Sequence, residues 1–162
     1  MPAKQIPSRD TFVLVPGTVL GGSAAADLSA LGSVEDLGEG QLLLQVRDPA
    51  PDARATWQRL QVQAGVQHRV HPVLLDERGN AHYPTGEVTV RFRSAPSDAE
   101  LRAFANAHAL DLRGRNEFVG EQAVFLPRDA ARTYVPDLVE ELSRAEKVQS
   151  AWANTRSRYR RA

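Results

Sequence analysis

The sequence predicts an α+β protein whose strands form antiparallel sheets. Three observations carry that prediction. Residues 84–155 alternate strand-like and helix-like patterns in the order β-α-β-β-α-β, and residues 1–75 repeat the order less regularly. The composition, 42% hydrophobic and 25% charged over 162 residues, suits a soluble globular chain of one medium domain or two small ones.

The first half opens with the apolar run Phe12 to Val15, which reads as a buried strand. Ala24 to Leu31 reads as a short helix. Val34 to Leu37 and Gln41 to Val46 read as two strands around Gly38 and Gly40. Asp52 to Ala64 follows Pro49 and Pro51 and places Trp57, Leu60 and Ala64 on one helical face, with Gly65 as the stop. Val66 to Leu75 is a further strand. The turn from Asp76 to Asn80 and the segment Tyr83-Pro84-Thr85-Gly86 then separate the halves.

In the second half Val88, Val90 and Phe92 alternate with Thr89 and Arg91, the period of a strand with one buried face. Ser97 and Glu100 have the spacing of a capping box, in which hydroxyl and carboxylate satisfy the first free N–H groups of a helix. Leu101, Phe104, Ala105 and His108 then recur on one helical face. Leu110 to Val119 and Gln122 to Leu126 form two strand-like runs around Gly120. Val135, Leu138, Val139 and Leu142 mark another helix, with Pro136 tolerated in its first turn. Val148 to Trp152 supplies the last strand. This order is that of the ferredoxin-like fold, in which two helices cover one face of an antiparallel sheet. The expected organisation is two ferredoxin-like lobes, 1–75 and 84–155, followed by a basic extended tail at 156–162.

The chain has no cysteine, which excludes disulfides, thiolate metal sites and a cysteine nucleophile. The phosphate-binding glycine patterns and the G-x-S-x-G elbow are also missing, so the reading is non-enzymatic with no cofactor. His68, His71 and His82 do not make a metal site by spacing, because strand residues three apart point to opposite faces; they are read as solvated strand histidines. His108 is read as a core-edge residue with one hydrogen bond. Trp57 belongs to the core. Trp152, where the last strand runs out, is a candidate interface aromatic. The N-terminal apolar run is interrupted by Pro16-Gly17 and abutted by Asp10, unlike a signal peptide. No segment approaches the ~20 apolar residues of a membrane span. The expected location is the cytoplasm, with secretion left open.

The net charge is +0, yet it is unevenly distributed: the last 15 residues carry Arg156, Arg158, Arg160 and Arg161 and no acid, leaving the first 147 with four more acidic than basic side chains. Such a tail could contact phosphate, with Tyr159 as a stacking surface. The acidic body argues against nucleic acid, as does Gln122-Ala123-Val124-Phe125-Leu126, which lacks the stacking aromatics that the pattern K/R-G-F/Y-G/A-F-V-x-F/Y of an RNA-recognition strand requires.

Two segments carry a resemblance. His71 to Asn80 followed by Tyr83 to Phe92, and Leu138 to Leu142 followed by Val148-Gln149-Ser150-Ala151-Trp152-Ala153-Asn154, resemble the opening and closing of propeptide domains of subtilisin-like serine proteases. Ala153 stands where that family commonly has proline. The resemblance covers about residues 70–155. It implies a ferredoxin-like lobe that templates protease folding as a chaperone and then inhibits the enzyme. In that family the sheet packs on two helices of the protease, acidic residues cap those helices, and the C-terminal tail lies in the substrate cleft. It implies Glu117 and Glu121 as the capping acids and Tyr159, Arg160, Arg161 and Ala162 as the cleft-binding segment. The catalytic Asp, His and Ser motifs are missing, so the expected partner is a protease acted on in trans or encoded in a longer precursor. The alternative is a protein–protein assembly module of two lobes with no protease target.

Overall fold

The computed structural model describes residues 4–16, 28–64 and 68–156. It is a mixed α+β protein, largely antiparallel sheet, with three α-helices among the described residues. No helix among them is long and apolar enough to cross a membrane. The described residues divide into two compact units, one made by Gly86–Asn154 and the other by those up to Thr85 together with Thr155 and Arg156.

The latter unit contains β1 (Ile6–Pro16), a 3-10 turn (Leu28–Ala30), β2 (Gly32–Gly38), β3 (Gln41–Val46), α1 (Ala53–Ala64), β4 (His68–Leu75) and the start of β5 (Ala81–Phe92). The strand order is β2-β3-β1-β4. Central β1 pairs antiparallel with both neighbours, Phe12 lying between Leu44 and Pro72 and Val13 between Leu43 and His71. Alternation sends Phe12 and Leu14 to the face covered by α1 and Val13 and Val15 to the other. That second face is also buried: Val13, Val15 and Val73 cluster with Leu37, Leu43, Leu75 and Tyr83. Asp52 caps α1, its carboxylate accepting from Ala55 N at 2.8 Å. Trp57 is buried, and its indole N–H donates to the Val70 carbonyl at 2.8 Å, tying α1 to β4.

Two glycine requirements shape the β2–β3 hairpin. A Cβ on Gly32 would sit 1.8 Å from the Gln45 carbonyl oxygen across the ladder, so no side chain fits. The tip Gly38-Glu39-Gly40 has φ of 89°, 53° and 78°, a left-handed path that glycine follows without strain.

The Gly86–Asn154 unit contains the rest of β5, α2 (Asp98–Ala107), β6 (Leu110–Arg115), β7 (Gln122–Pro127), a 3-10 turn (Ala130–Arg132), α3 (Val135–Ser143) and β8 (Val148–Arg156) up to Asn154. β7 lies between β5 and β6, antiparallel to both, and β8 also pairs with β5. Val88, Val90, Phe92, Ala123 and Phe125 alternate into the core, which Leu101, Ala105, Leu138 and Leu142 close from the helices. Phe104 stands edge-on to Phe92, ring centroids 5.0 Å apart, and tilted to Phe125 at 5.5 Å.

The capping box forms as the spacing requires. Ser97 Oγ accepts from Glu100 N at 3.1 Å and Glu100 Oε1 accepts from Ser97 N at 3.2 Å. The Ser97 bonds and Lys147 hold the Glu100 carboxyl below its ordinary pKa. Replacing Ser97 with alanine is expected to lower stability by about 1 kcal/mol, read as a shift in the urea midpoint with unchanged slope. Pro136 occupies the first turn of α3, as expected.

Several boundaries differ from the sequence reading. The helix expected at Ala24–Leu31 has residues 24–27 outside the described ones, and Leu28–Ala30 form only a 3-10 turn. Tyr83–Gly86, read as a separator, lies inside β5, because Ala81 and His82 pair with Leu75 and Leu74 and carry the strand through Pro84. β6 ends at Arg115 rather than Val119, since side-chain bonds from Asn116 and Arg115 turn the chain early. β8 extends to Arg156, whose guanidinium reaches Glu39 at 2.8 Å within the same unit. The tail is therefore strand at its first residue.

Candidate functional site

The β6–β7 hairpin brings the two candidate acids together with a residue the sequence reading had assigned to a strand. Its base is an antiparallel ladder pairing Leu112 with Phe125 and Arg115 with Ala123, with a register shift between Leu112 and Gly114. At the tip Asn116 Oδ1 accepts from Phe118 N at 2.9 Å and Val119 N at 3.2 Å, the side chain standing in for a backbone turn. Asn116 N donates to Gln122 O and Gln122 N to Val119 O, both at 3.0 Å. Beneath this the Arg115 guanidinium donates to Pro96 O at 2.6 Å and twice to Gly120 O, and pairs with Asp98 at 3.5 Å. The tip is thereby fastened to the loop that precedes α2.

The arrangement leaves the acids available. Glu117 is exposed and Glu121 half-buried, and neither forms an ion pair among the described residues. Two carboxylates on a braced turn are suited to meet the positive end of a helix on another protein. Between them Phe118 is 95% exposed. The sequence signal for this was present in Asn116 and Gly120, two turn formers bracketing an aromatic, but the apolar run Phe118-Val119 outweighed it.

Trp152 is half-buried on β8, two residues before Asn154, which accepts a 2.6 Å bond from the buried Thr89 hydroxyl. Tyr159, Arg160, Arg161 and Ala162 lie outside the described residues.

The histidines do not converge. His71 is 1% exposed, which corrects the expectation of a solvated side chain: both faces of β1 and β4 are covered, so a face-changing residue has no route to water. Neither of its ring nitrogens has a hydrogen-bond partner among the described residues, and burial first, then the Arg69 charge, lowers its pKa to about 3. His82 donates to Asp76 at 3.0 Å. Asp76 also accepts from the backbone N–H of Arg78 and Asn80, so the pair pins the turn rather than activating a nucleophile. Those bonds, His82 first, hold the Asp76 carboxyl below its usual range. The His68 side chain is outside the described ones. His108 behaves as read, half-buried against Phe104 with Nδ1 3.4 Å from Glu141. Among the described residues no three His, Asp or Glu side chains could hold one metal ion.

A depression of about 670 Å³ lies beside the start of α2, lined by Phe92, Arg93, Pro96, Glu100, Arg144 and Lys147 among others. Its charges are largely engaged internally: Lys147 with Glu100 at 3.4 Å, Arg144 with Glu140, and Arg93 with the Glu146 carbonyl at 3.1 Å. Comparison with protein-family models, curated proteins and solved structures gives no match to this chain.

Proposed function

We propose that this chain is a non-enzymatic partner of a subtilisin-like serine protease, built as two ferredoxin-like lobes and acting as inhibitor and folding chaperone. The observation that carries the reading is the hairpin, which holds Glu117 and Glu121 on a braced, solvent-facing turn where the resemblance requires capping acids. The strand orders β2-β3-β1-β4 and β8-β5-β7-β6 support the two-lobe reading, each having its first strand between its third and fourth. In this proposal the hairpin docks on helix N-termini of the protease. The segment Tyr159 to Ala162 enters the substrate cleft as an added strand, main-chain bonds supplying affinity and side chains selectivity.

Deleting Tyr159 to Ala162 is expected to raise the inhibition constant against a cognate protease by orders of magnitude while the melting curve stays put. The assay is a panel of subtilisin-like proteases, scored for inhibition and for cleavage of the chain. Undiminished inhibition after the deletion would exclude cleft binding.

A second reading is an assembly module without a protease target. Strands β2 and β6 favour it: among the described residues they end the strand order, and Val34 and Leu112 on them are each 41% exposed. Concentration-dependent self-association with no inhibition across the panel would select that reading.

A further inference from the structure

We infer that Phe118 is the anchoring side chain of a docking surface for a protein partner that offers an apolar pocket rimmed by positive charge. An aromatic that is 95% exposed gains nothing from the fold around it. The tip nevertheless fixes the backbone that carries it, through the two bonds to Asn116 Oδ1, the Asn116–Gln122 pair and the Arg115 brace to Pro96 and Gly120. Such bracing of the turn lowers the backbone's ordering cost on binding, and an aromatic entering a pocket is a common energetic centre of protein interfaces. Charge sets the pocket's rim. Arg115, the cation at the base of the tip, is occupied by Asp98 and two carbonyls, whereas Glu117 and Glu121 have no ion-pair partner among the described residues. The tip therefore presents an apolar knob between free carboxylates, complementary to lysine, arginine or a helix N-terminus around the pocket.

The inference deepens the docking role proposed above and does not require the partner to be a protease. The test places the photoreactive residue p-benzoylphenylalanine at position 118 of the full chain, irradiates the cells that make it, and maps the adduct by mass spectrometry. The expected result is one dominant protein adduct, crosslinked at an apolar site bordered by basic side chains or a helix start. Its yield should fall at least tenfold when Glu117→Lys and Glu121→Lys are added. The same probe at Val62, an 83% exposed side chain on α1, should not yield that adduct. An unchanged melting curve for each variant establishes that the fold is retained. No adduct, the same pattern from positions 62 and 118, or a yield indifferent to charge reversal would overturn the inference. If the adduct is a subtilisin-like protease, both readings stand. If it is another protein with such a pocket, the anchor stands and the protease reading falls. Inhibition of a protease without a position-118 adduct has the opposite consequence.

Discussion

Truncating Phe125 to alanine is expected to destabilise the Gly86–Asn154 unit by about 3–5 kcal/mol, the range for deleting a fully buried ring. Phe125 is 0% exposed, pairs across the sheet with Val88 on one side and Leu112 on the other, and meets Phe104 at 5.5 Å. The cavity is bounded by two strands and α2, none of which can collapse into it without losing ladder bonds or the packing of Leu101. Small domains are stable by only about 5–15 kcal/mol, so the loss is a large share of the whole. The two tryptophans fall in different units, Trp57 in one and Trp152 in the other, which gives each unit its own fluorescence reporter. Urea unfolding followed through Trp152 in a Trp57→Phe background should show the lower midpoint. A shift equivalent to less than about 1 kcal/mol would mean that this position is not closely packed.

Acid should destabilise the other unit through His71. Its folded pKa of about 3 lies below the ordinary 6.5, because a charged ring would lie in an apolar interior near Arg69. The sign follows from proton uptake: between these values the unfolded chain binds a proton that the folded chain refuses. The contribution of neutral His71 is complete well above pH 6.5 and is lost progressively as pH falls from there toward 3. Asp76 adds to the loss only at the acid end, since its depressed pKa makes its hydrogen bonds a stabilising factor that fades below about 3.8. His71→Leu should remove the dependence between pH 6.5 and 4. It should also raise stability at neutral pH, because it deletes two buried nitrogens with no partner among the described residues. The check is a urea midpoint series from pH 7.5 to 4 for both proteins. A wild-type midpoint independent of pH across that range would refute the buried-histidine account.

These two residues show what was legible in the sequence. The strand that carries Phe125 was readable as the apolar run Gln122 to Leu126, and in the strand it pairs with the alternation of Val88, Val90 and Phe92 identifies the inward side. His71 was not, because strand periodicity reports which side chains share a face and not whether that face is covered. The Ser97–Glu100 box and Pro136 were readable for a local reason: each acts within one helical turn. β5 was misjudged at Tyr83–Gly86 because proline and glycine there outweigh, in sequence, a pairing with Leu74 and Leu75 that exists only once the chain has folded back. At the candidate site, Glu117 and Glu121 were placed on the hairpin, but the brace that orders them was invisible. Arg115 bonds to Pro96, 19 residues away, and no spacing rule anticipates such a contact.

The β2–β3 hairpin offers a way to follow this chain through sequence drift. Gly32 is held by collision with a backbone oxygen that cannot move without breaking the ladder, and Gly38 and Gly40 by torsion. Hydrophobic positions can exchange among leucine, valine and isoleucine as relatives diverge, eroding literal similarity. Gly32 has no such substitute, and at Gly38 and Gly40 any other residue is strained. The spacing Gly-x5-Gly-x-Gly, followed by alternating apolar residues at Leu42, Leu44 and Val46, is thus the fingerprint expected to outlast the rest, and a search built on it can reach relatives that overall similarity no longer finds.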